Sequence, residues 1–406
     1  MKLTNCKNSF RSAWMALLCG AMLCTACEKD DPKSTACDIA SFTVNDKAWD
    51  IDDTNITRAY PEEEVAASLT PTITLSPGAM VNPSSGTAQN FFTEQGVTYT
   101  VTAEDGVTTK TYTVKATLRS VDSGNYTWTL TGAPGNYTLT ISGSGAMGSY
   151  DNEDVPWYSY RDGIKTAIIQ DGITVIGGNA FSRCSNLTAM TIPNSVTAIS
   201  YGAFSGCTGL TGMIIPNSVK TIGVAAFSGC TGLTSVTIGN SVQTIGYDAF
   251  GACTGLTSVT IPNSVTMIDR WAFVDCTGLT SVTIGASVQT ISGNAFAGCI
   301  GLTSVTIPNS VQTIDNWAFG DCAGLTSVTI GASVQTIGYS AFFNCSNLTT
   351  VVNLNPTPQN IADAVFYNAN LNAATLKVPA SAVDAYKAAP VWSEFGKIEA
   401  ISENDG

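Results

Sequence analysis

One 23-residue unit dominates this chain of 406 residues. In the copy AFSGCTGLTSVTI at 226–238, a phenylalanine and a cysteine lie three residues apart, and both recur at the same phase in every copy. The phenylalanines are at 181, 204, 227, 250, 273, 296, 319 and 342, and the cysteines at 184, 207, 230, 253, 276, 299, 322 and 345. A fixed period of this length indicates a solenoid, because one unit cannot bury its apolar face alone.

Each unit predicts one short strand. Val236 and Ile238 are two residues apart and share one strand face, whereas Ser235 and Thr237 point to the other face. Proline or glycine then ends the strand before an Asn-Ser turn. Because stacked strands lie ~4.8 Å apart, about nine or ten such turns give a rod of roughly 45 Å.

A second period is twice as long. The segments IDRWAFVDC at 268–276 and IDNWAFGDC at 314–322 are 46 residues apart. After the strands, proline and glycine alternate at Pro262, Gly285, Pro308 and Gly331. This pattern indicates duplication of a two-turn unit.

The composite unit, xAFxxCxxLTSVTIPNSVxTIGxx, resembles the BspA-type leucine-rich repeat over roughly residues 163 to 380. The resemblance implies a surface protein of adhesion function, which binds host or neighbouring-cell proteins. We therefore predict a solenoid over 163–374.

The segment 37–119 is predicted to form a small immunoglobulin-like β-sandwich. In TYTVTAEDGVTTKTYTVKATL at 98–118, apolar residues alternate with polar ones on both sides of Asp105-Gly106. This pattern predicts a β-hairpin with one buried face. The predicted fold class is thus mainly β: a sandwich that serves as a spacer, followed by a leucine-rich-repeat solenoid of 23-residue turns with β caps.

The caps are needed because a stacked array leaves an apolar face open at each end. We assign the N-terminal β cap to 120–162 and the C-terminal cap to 375–406, where Ser381 and Asp384 resemble a capping box. The residues predicted to cover the ends are Trp128, Leu130, Leu139, Ile141 and Trp157 on one side and Val383, Tyr386, Trp392 and Phe395 on the other.

Residues 1–26 are predicted to be a lipoprotein signal peptide. Basic residues precede an apolar stretch that is too short to span a bilayer as a helix. The end of this segment, LCTAC, resembles a bacterial lipobox and makes Cys27 the candidate for lipidation. Residues 27–36 form an acidic tether that resembles a surface-display signal. These features predict an outer-membrane lipid anchor with exposure at the cell surface, and the alternative is an ordinary secretory signal.

The composition excludes several kinds of site. The chain has no histidine, which removes histidine-based triads and the commonest general base. A net charge of −13 disfavours nucleic acid as a partner. The cysteine spacing does not fit a zinc site, and no compact DxDxDG loop for calcium is present. The aspartates lie on a convex ridge without the cleft that a glycosidase needs. We predict no cofactor, no metal, no catalytic residue and no enzymatic activity.

The eight periodic cysteines have two interpretations. Stacked equivalent positions are about 5 Å apart at Cα, within the range of a disulfide, and export would supply oxidising conditions. Cysteine is also a small hydrophobe that suits a repeated inward position. We favour buried free thiols.

Variable residues just before each Ala-Phe pair are the candidates for ligand binding. They are Tyr201, Tyr247, Arg270, Trp271, Trp317 and Tyr339. Aromatic faces beside aspartates are suited to anchoring a protein or stacking on sugar rings. The alternative, which the residue type alone favours, is that both tryptophans are extra core. The predicted partner is an extracellular or host protein, a glycan is the alternative, and the membrane is contacted only through the anchor.

Overall fold

The computed structural model describes residues 33–60, 68–93, 95–121, 125–151 and 154–402. The signal peptide, Cys27 and most of the tether lie outside these ranges. The strands of the N-terminal part are β1 (Ile39–Val44), β2 (Lys47–Ala48), β3 (Asp50–Asp52), β4 (Asn55–Tyr60), β5 (Pro71–Leu75), β6 (Met80–Asn82), β7 (Val97–Thr102), β8 (Thr109–Val121), β9 (Tyr126–Ala133), β10 (Asn136–Gly143) and β11 (Gly145–Ala146).

The N-terminal module consists of two sheets around an aromatic core. One sheet has the order β2-β1-β5, and the other contains β3, β4 and β8 with β7 and β6 beside them. Rings from the two sheets meet where Phe42 of β1 contacts Tyr99 of β7 at 5.8 Å between centroids. The predicted hairpin is confirmed: β7 and β8 are antiparallel, and Val101 and Val114 are buried.

The solenoid carries two rows of parallel strands. The first row is β12 (Ile164–Ile169), β14 (Ala189–Thr191), β16 (Gly212–Ile214), β18 (Ser235–Thr237), β20 (Ser258–Thr260), β22 (Ser281–Thr283), β24 (Ser304–Thr306), β26 (Ser327–Ile330), β28 (Thr350–Asn353), β29 (Thr375–Val378) and β30 (Lys397–Ala400). The second row continues from β11 through β13 (Ile173–Ile176), β15 (Ala198–Ile199), β17 (Thr221–Ile222), β19 (Thr244–Ile245), β21 (Met267–Ile268), β23 (Thr290–Ile291), β25 (Thr313–Ile314) and β27 (Thr336–Ile337).

The first row matches the predicted strands, with Ser235 and Thr237 exposed and Ile238 buried. The solenoid has about 11 turns, so the prediction of nine or ten was too low. The difference lies at the C-terminal end, where the turns of β29 and β30 no longer carry the Phe-Cys pair. A mainly β chain with a solenoid of 23-residue spacing is confirmed.

The periodic phenylalanines form one continuous stack inside the rod. From Phe181 to Phe366, neighbouring ring centroids are 5.1 to 5.5 Å apart, and the rings are inclined by at most 11°. All of these rings are buried. Because each turn supplies one ring, each turn covers the apolar face of its neighbour.

Aromatic residues close both ends of this stack. Trp157 packs on Phe181 with centroids 5.9 Å apart, and its Nε1 donates to the carbonyl oxygen of Ala180. At the other end Trp392 and Phe395 contact Phe366 edge-on, each at 5.7 Å. All the predicted cap residues are buried except Val383, which is partly buried against the core.

The predicted capping box is wrong. The C-terminal helix α1 (Val383–Ala388) begins after a 3-10 turn, Ala380–Ala382, which contains Ser381. The N-cap residue is Ala382 in a helical conformation, and no side chain of the described residues caps the helix. Because the turn runs directly into the helix, Ser381 does not occupy the extended position that an N-cap requires. The other 3-10 segments within the described ranges are Tyr158–Gly163, Asp363–Phe366, Leu371–Ala373 and Trp392–Glu394.

One sheet joins the N-terminal module to the solenoid, in the order β14-β12-β10-β9-β8-β4-β3. Strand β8 pairs with β4 along one part and with β9 along its last residues. Strand β10 then pairs in parallel with β12, the first strand of the rod. The boundary predicted between 119 and 120 therefore lies inside β8.

The alternation of proline and glycine turns has a steric cause. A Cβ on Gly285 would lie 2.5 Å from the carbonyl oxygen of Pro262, one turn earlier. Conversely, Ser264, which follows a glycine turn, donates its hydroxyl to the carbonyl oxygen of Val242 at 2.6 Å. Ser218 follows a proline turn instead, and its hydroxyl is buried without a partner in the described chain. A proline turn and a glycine turn are thus complementary when they are neighbours in the stack.

Candidate functional site

Two positions in each turn have a left-handed backbone. The first, directly before the Ala-Phe pair, has φ between 51° and 65°. Its residues are Asn179, Gly202, Ala225, Asp248, Trp271, Asn294, Trp317 and Ser340. The second has φ between 53° and 72°, and its residues are Arg183, Gly206, Gly229, Ala252, Asp275, Gly298, Asp321, Asn344 and Asn368. Gly, Asn and Asp suit this conformation, whereas a bulky side chain there is an outlier.

Trp271 is one of these outliers, and it is not core. Its side chain is 41% exposed, and its ring stacks on Tyr247 of the preceding turn with centroids 6.3 Å apart. The exposed Arg270 precedes it, and the exposed Val224 is one turn before Tyr247 in the same column. Tyr247, Arg270 and Trp271 thus form one exposed cluster, which we call the Trp271 cluster. For Trp271 the interpretation as extra core is wrong.

Trp317 belongs to a different group. A Cβ on Gly320 would lie 2.6 Å from its Cε3, so the indole covers Gly320 of its own turn. The ring also contacts Phe343 at 4.7 Å, and Phe343 stacks on Tyr367 at 5.4 Å with 9° between the planes. Trp317, Phe343 and Tyr367 form what we call the outer aromatic row. Sequence reasoning missed Phe343, although it occupies the position that is serine in the first repeats, and it missed Tyr367.

Tyr201 lies apart from these two groups, whereas Tyr339 is next to Trp317, whose amide donates to the carbonyl oxygen of Tyr339 at 3.0 Å. The ring of Tyr201 covers Gly178, and its hydroxyl donates to the carbonyl oxygen of Tyr150 at 3.3 Å, in the N-terminal cap. Tyr339 is more exposed than Trp271, and its amide donates to Oδ1 of Asn316 at 2.8 Å. The structure therefore does not assemble the six predicted residues into a single patch.

The aspartates beside the tryptophans support turns. Oδ1 of Asp269 accepts the amide of Arg270 at 2.7 Å, and Oδ1 of Asp315 accepts the amide of Asn316 at 2.8 Å. Burial raises the pKa of Asp248, the half-buried residue between Tyr247 and the Ala-Phe pair. Within the described ranges, no three of the His, Cys, Asp and Glu side chains are grouped as a metal ion would require.

The eight periodic cysteines are free, buried thiols, which confirms the favoured interpretation. From Cys207 onward, each Sγ donates to the carbonyl oxygen of the phenylalanine in the preceding turn. Burial raises the pKa of Cys230 and of Cys276 to about 12. These thiols stabilise the rod and are not reactive at neutral pH.

No helix in the described parts of the chain is long and apolar enough to cross a bilayer. None of the functionally curated proteins compared with the chain is similar to it.

Several solved structures of bacterial proteins are similar to this chain. A leucine rich cell surface protein from Faecalibacterium prausnitzii is 22% identical, with 71% of this chain and 96% of that one covered and a TM-score of 0.35. A leucine-rich repeat protein from Bacteroides ovatus is 19% identical, with coverage of 70% and 100% and a TM-score of 0.33. The pneumococcal vaccine antigen PcpA is 16% identical, with coverage of 70% and 98% and a TM-score of 0.37.

Two protein families match the sequence. Residues 39–116 match the SGBP N-terminal family, so an SGBP N-terminal domain precedes the repeats. The BspA type leucine rich repeat region matches residues 157–280 and 266–387, which together are more than half of the chain. The stacked 23-residue turns and this match agree, and the chain belongs to the BspA-type leucine-rich repeat family.

Proposed function

We propose that this protein is a lipid-anchored, surface-displayed scaffold whose solenoid binds an extracellular protein through the Trp271 cluster. The observation that carries the proposal is the exposure of Trp271 at a left-handed backbone position. Asn294 occupies the same position one turn later, where it fits the backbone better. A residue that is both strained and exposed is better explained by a binding role than by a stabilising one.

The residue types of the cluster favour a protein as the ligand. Trp, Tyr and Arg are the residues that contribute most to protein–protein affinity. In the Trp271 cluster these three types are adjacent on one edge of the rod, and the rings of Tyr247 and Trp271 are stacked. Stacking holds each ring in place before binding, so less side-chain entropy is lost when a partner docks.

The proposal includes no catalysis. The repeat family is a scaffold, and the carboxylates beside the cluster accept hydrogen bonds from the backbone of their own turns.

The binding experiment uses residues 28–406 against immobilised extracellular matrix proteins and glycans by surface plasmon resonance. Trp271→Asn introduces the residue found at the same position in the next turn, so the backbone is retained. We expect it to weaken protein binding by at least about tenfold. Trp317→Asn is the matched control at the same position two turns later and should leave the affinity unchanged.

Three outcomes would contradict this assignment. If Trp317→Asn weakens binding and Trp271→Asn does not, the site lies in the outer aromatic row. If the parent binds a glycan of the panel and Trp271→Asn does not, the ligand of the cluster is a glycan, as in the alternative interpretation. If the solenoid binds no protein, the adhesion function is wrong.

The lipid anchor is tested separately in cells. We expect labelled palmitate to be incorporated into the parent protein and not into Cys27→Ala, since the thiol of Cys27 is the proposed acceptor. Cys24→Ala is the matched control and should be labelled normally. Labelling that persists in Cys27→Ala would contradict the anchor.

A further inference from the structure

A shallow depression of about 460 Å³ lies beside the end of the outer aromatic row. Its floor contains the buried side chains of Phe366 and Leu371. Its rim consists of Asp363, Tyr367, Asn368, Asn370, Asn372 and Glu394. The depression is thus framed by the Asp363–Phe366 and Leu371–Ala373 turns and by the segment that carries Glu394.

Tyr367 supplies an aromatic surface to this depression. Phe343 stacks almost parallel on one face of its ring. Among the described residues no other ring contacts Tyr367, and its side chain is 57% exposed. Tyr367 is the last ring of the outer aromatic row, so the second face of its ring is open.

The polar groups of the rim are available for a ligand. The side chains of Asp363, Asn370, Asn372 and Glu394 are exposed and make no hydrogen bond or ion pair within the described chain. Asn368 donates its amide to Oδ1 of Asn344, which leaves its own oxygen as an acceptor. Two carboxylates and several amides thus surround one open aromatic face.

We propose that this depression binds a neutral pyranose ring of a polysaccharide. The apolar C–H face of the sugar packs on the open face of Tyr367, and its hydroxyls bond to Asn370, Asn372, Asp363 and Glu394. Acidic sugars are excluded, because among the described residues no Lys or Arg lines the depression and two carboxylates do. The site is separate from the Trp271 cluster, so its failure would leave the protein-binding proposal intact.

The test is ligand-observed NMR with residues 28–406 and neutral hexasaccharides: cellohexaose, mannohexaose, maltohexaose and xylohexaose. Hexagalacturonate is the acidic probe. We expect at least one neutral hexamer to bind and hexagalacturonate not to bind. Tyr367→Ala should weaken the binding by at least about tenfold, and Tyr367→Phe should retain it. Tyr339→Ala is the matched control for an exposed tyrosine away from the depression and should have no effect.

Folding and charge are controlled by further variants. Tyr367→Leu keeps an apolar side chain over Phe343, so loss of binding at an unchanged melting temperature assigns the effect to the aromatic face. The double variant Asp363→Asn/Glu394→Gln should admit hexagalacturonate, because the repulsion is removed. The proposal is overturned if no neutral hexamer binds, if Tyr367→Ala binds like the parent, or if the double variant still excludes the acidic probe.

Discussion

The thiol of Cys207 donates a hydrogen bond to the carbonyl oxygen of Phe181, one turn earlier, over 3.0 Å between Sγ and O. The same oxygen accepts the amide of Cys184 at 3.1 Å. The bond recurs in each turn up to Cys345, which donates to Phe319 at 3.4 Å. Cysteine is therefore a donor that links neighbouring turns as well as a small apolar residue. A thiolate cannot donate this bond.

Alkali is expected to unfold the solenoid. Burial raises the pKa of Cys230 and Cys276 to about 12, from 9.0 for an exposed thiol. Because the folded pKa is the higher one, the unfolded chain loses these protons first, and the free energy of unfolding falls as the pH rises from about 9 toward 12. Each such thiol lowers it by about 1.4 kcal/mol per pH unit in that window.

Urea denaturation between pH 7 and pH 10.5 measures this dependence. In Cys230→Ala/Cys276→Ala, two of the thiols are absent, so the slope above pH 9 should be smaller by about 3 kcal/mol per pH unit. An equal slope in the variant and the parent would show that Cys230 and Cys276 do not contribute to it.

Ala252→Gly is expected to stabilise the protein. Ala252 has φ of 53°, and glycine occupies the same position at 206, 229 and 298. A left-handed conformation costs an L-residue roughly 1–2 kcal/mol, part of which is offset by the greater entropy of glycine in the unfolded chain. We expect a net gain of about 0.5–1 kcal/mol in the free energy of unfolding, measured by urea denaturation.

The control for this variant is Ala272→Gly. Ala272 is buried and has no positive φ, so glycine there should destabilise the protein. If both variants lose stability, the backbone at Ala252 is not strained.

Gly285→Ala is expected to destabilise the rod by at least about 2 kcal/mol, because overpacking forces the backbone to shift. The added Cβ would meet the carbonyl oxygen of Pro262 at 2.5 Å, and backbone cannot move aside cheaply. Gly212→Ala is the comparison, since its Cβ would come no closer than 3.4 Å to the hydroxyl of Ser235. Thermal melting should separate the two variants. Equal melting temperatures would rule out the steric account of the alternation.

Trp392→Ala is expected to open the C-terminal cap. Its indole is buried against Phe366 and donates to the carbonyl oxygen of Gln359 at 2.9 Å. Removal of such a side chain costs about 3–5 kcal/mol. Urea denaturation measures the loss, and binding of a hydrophobic dye reports exposure of the stack. Ser393→Ala, at an exposed neighbour, should change neither quantity.

The buried columns of the rod were predictable from the sequence, because an inward position must be apolar in every turn. Phe227, Cys230 and Ile238 recur for this reason, and all three are buried. The second row of strands was not predicted. A pair such as Thr244–Ile245 is too short to show an alternating pattern.

The left-handed positions were also beyond the sequence analysis. Gly, Asn or Asp occupies seven of the nine second positions, but Arg183 and Ala252 interrupt this pattern. The same limitation applied to the candidate site. Trp271 is exposed at a backbone position with φ of 65°, and hydrophobic periodicity records neither property. The contact between Trp317 and Phe343 joins residues of successive turns.

The complementary proline and glycine turns also constrain how the gene can change. Recombination between its near-identical repeats adds or removes coding segments, and the fold does not tolerate all lengths equally. Exchange of a single turn places two turns of the same kind next to each other. Pro193 and Pro216 are such a pair, and there the hydroxyl of Ser218 is buried without a partner among the described residues. Exchange of a two-turn segment keeps Gly285 against Pro262 and preserves the bond from Ser264. Alleles of this gene should therefore differ in length by multiples of 138 nucleotides, three for each of the 46 residues that separate Trp271 from Trp317.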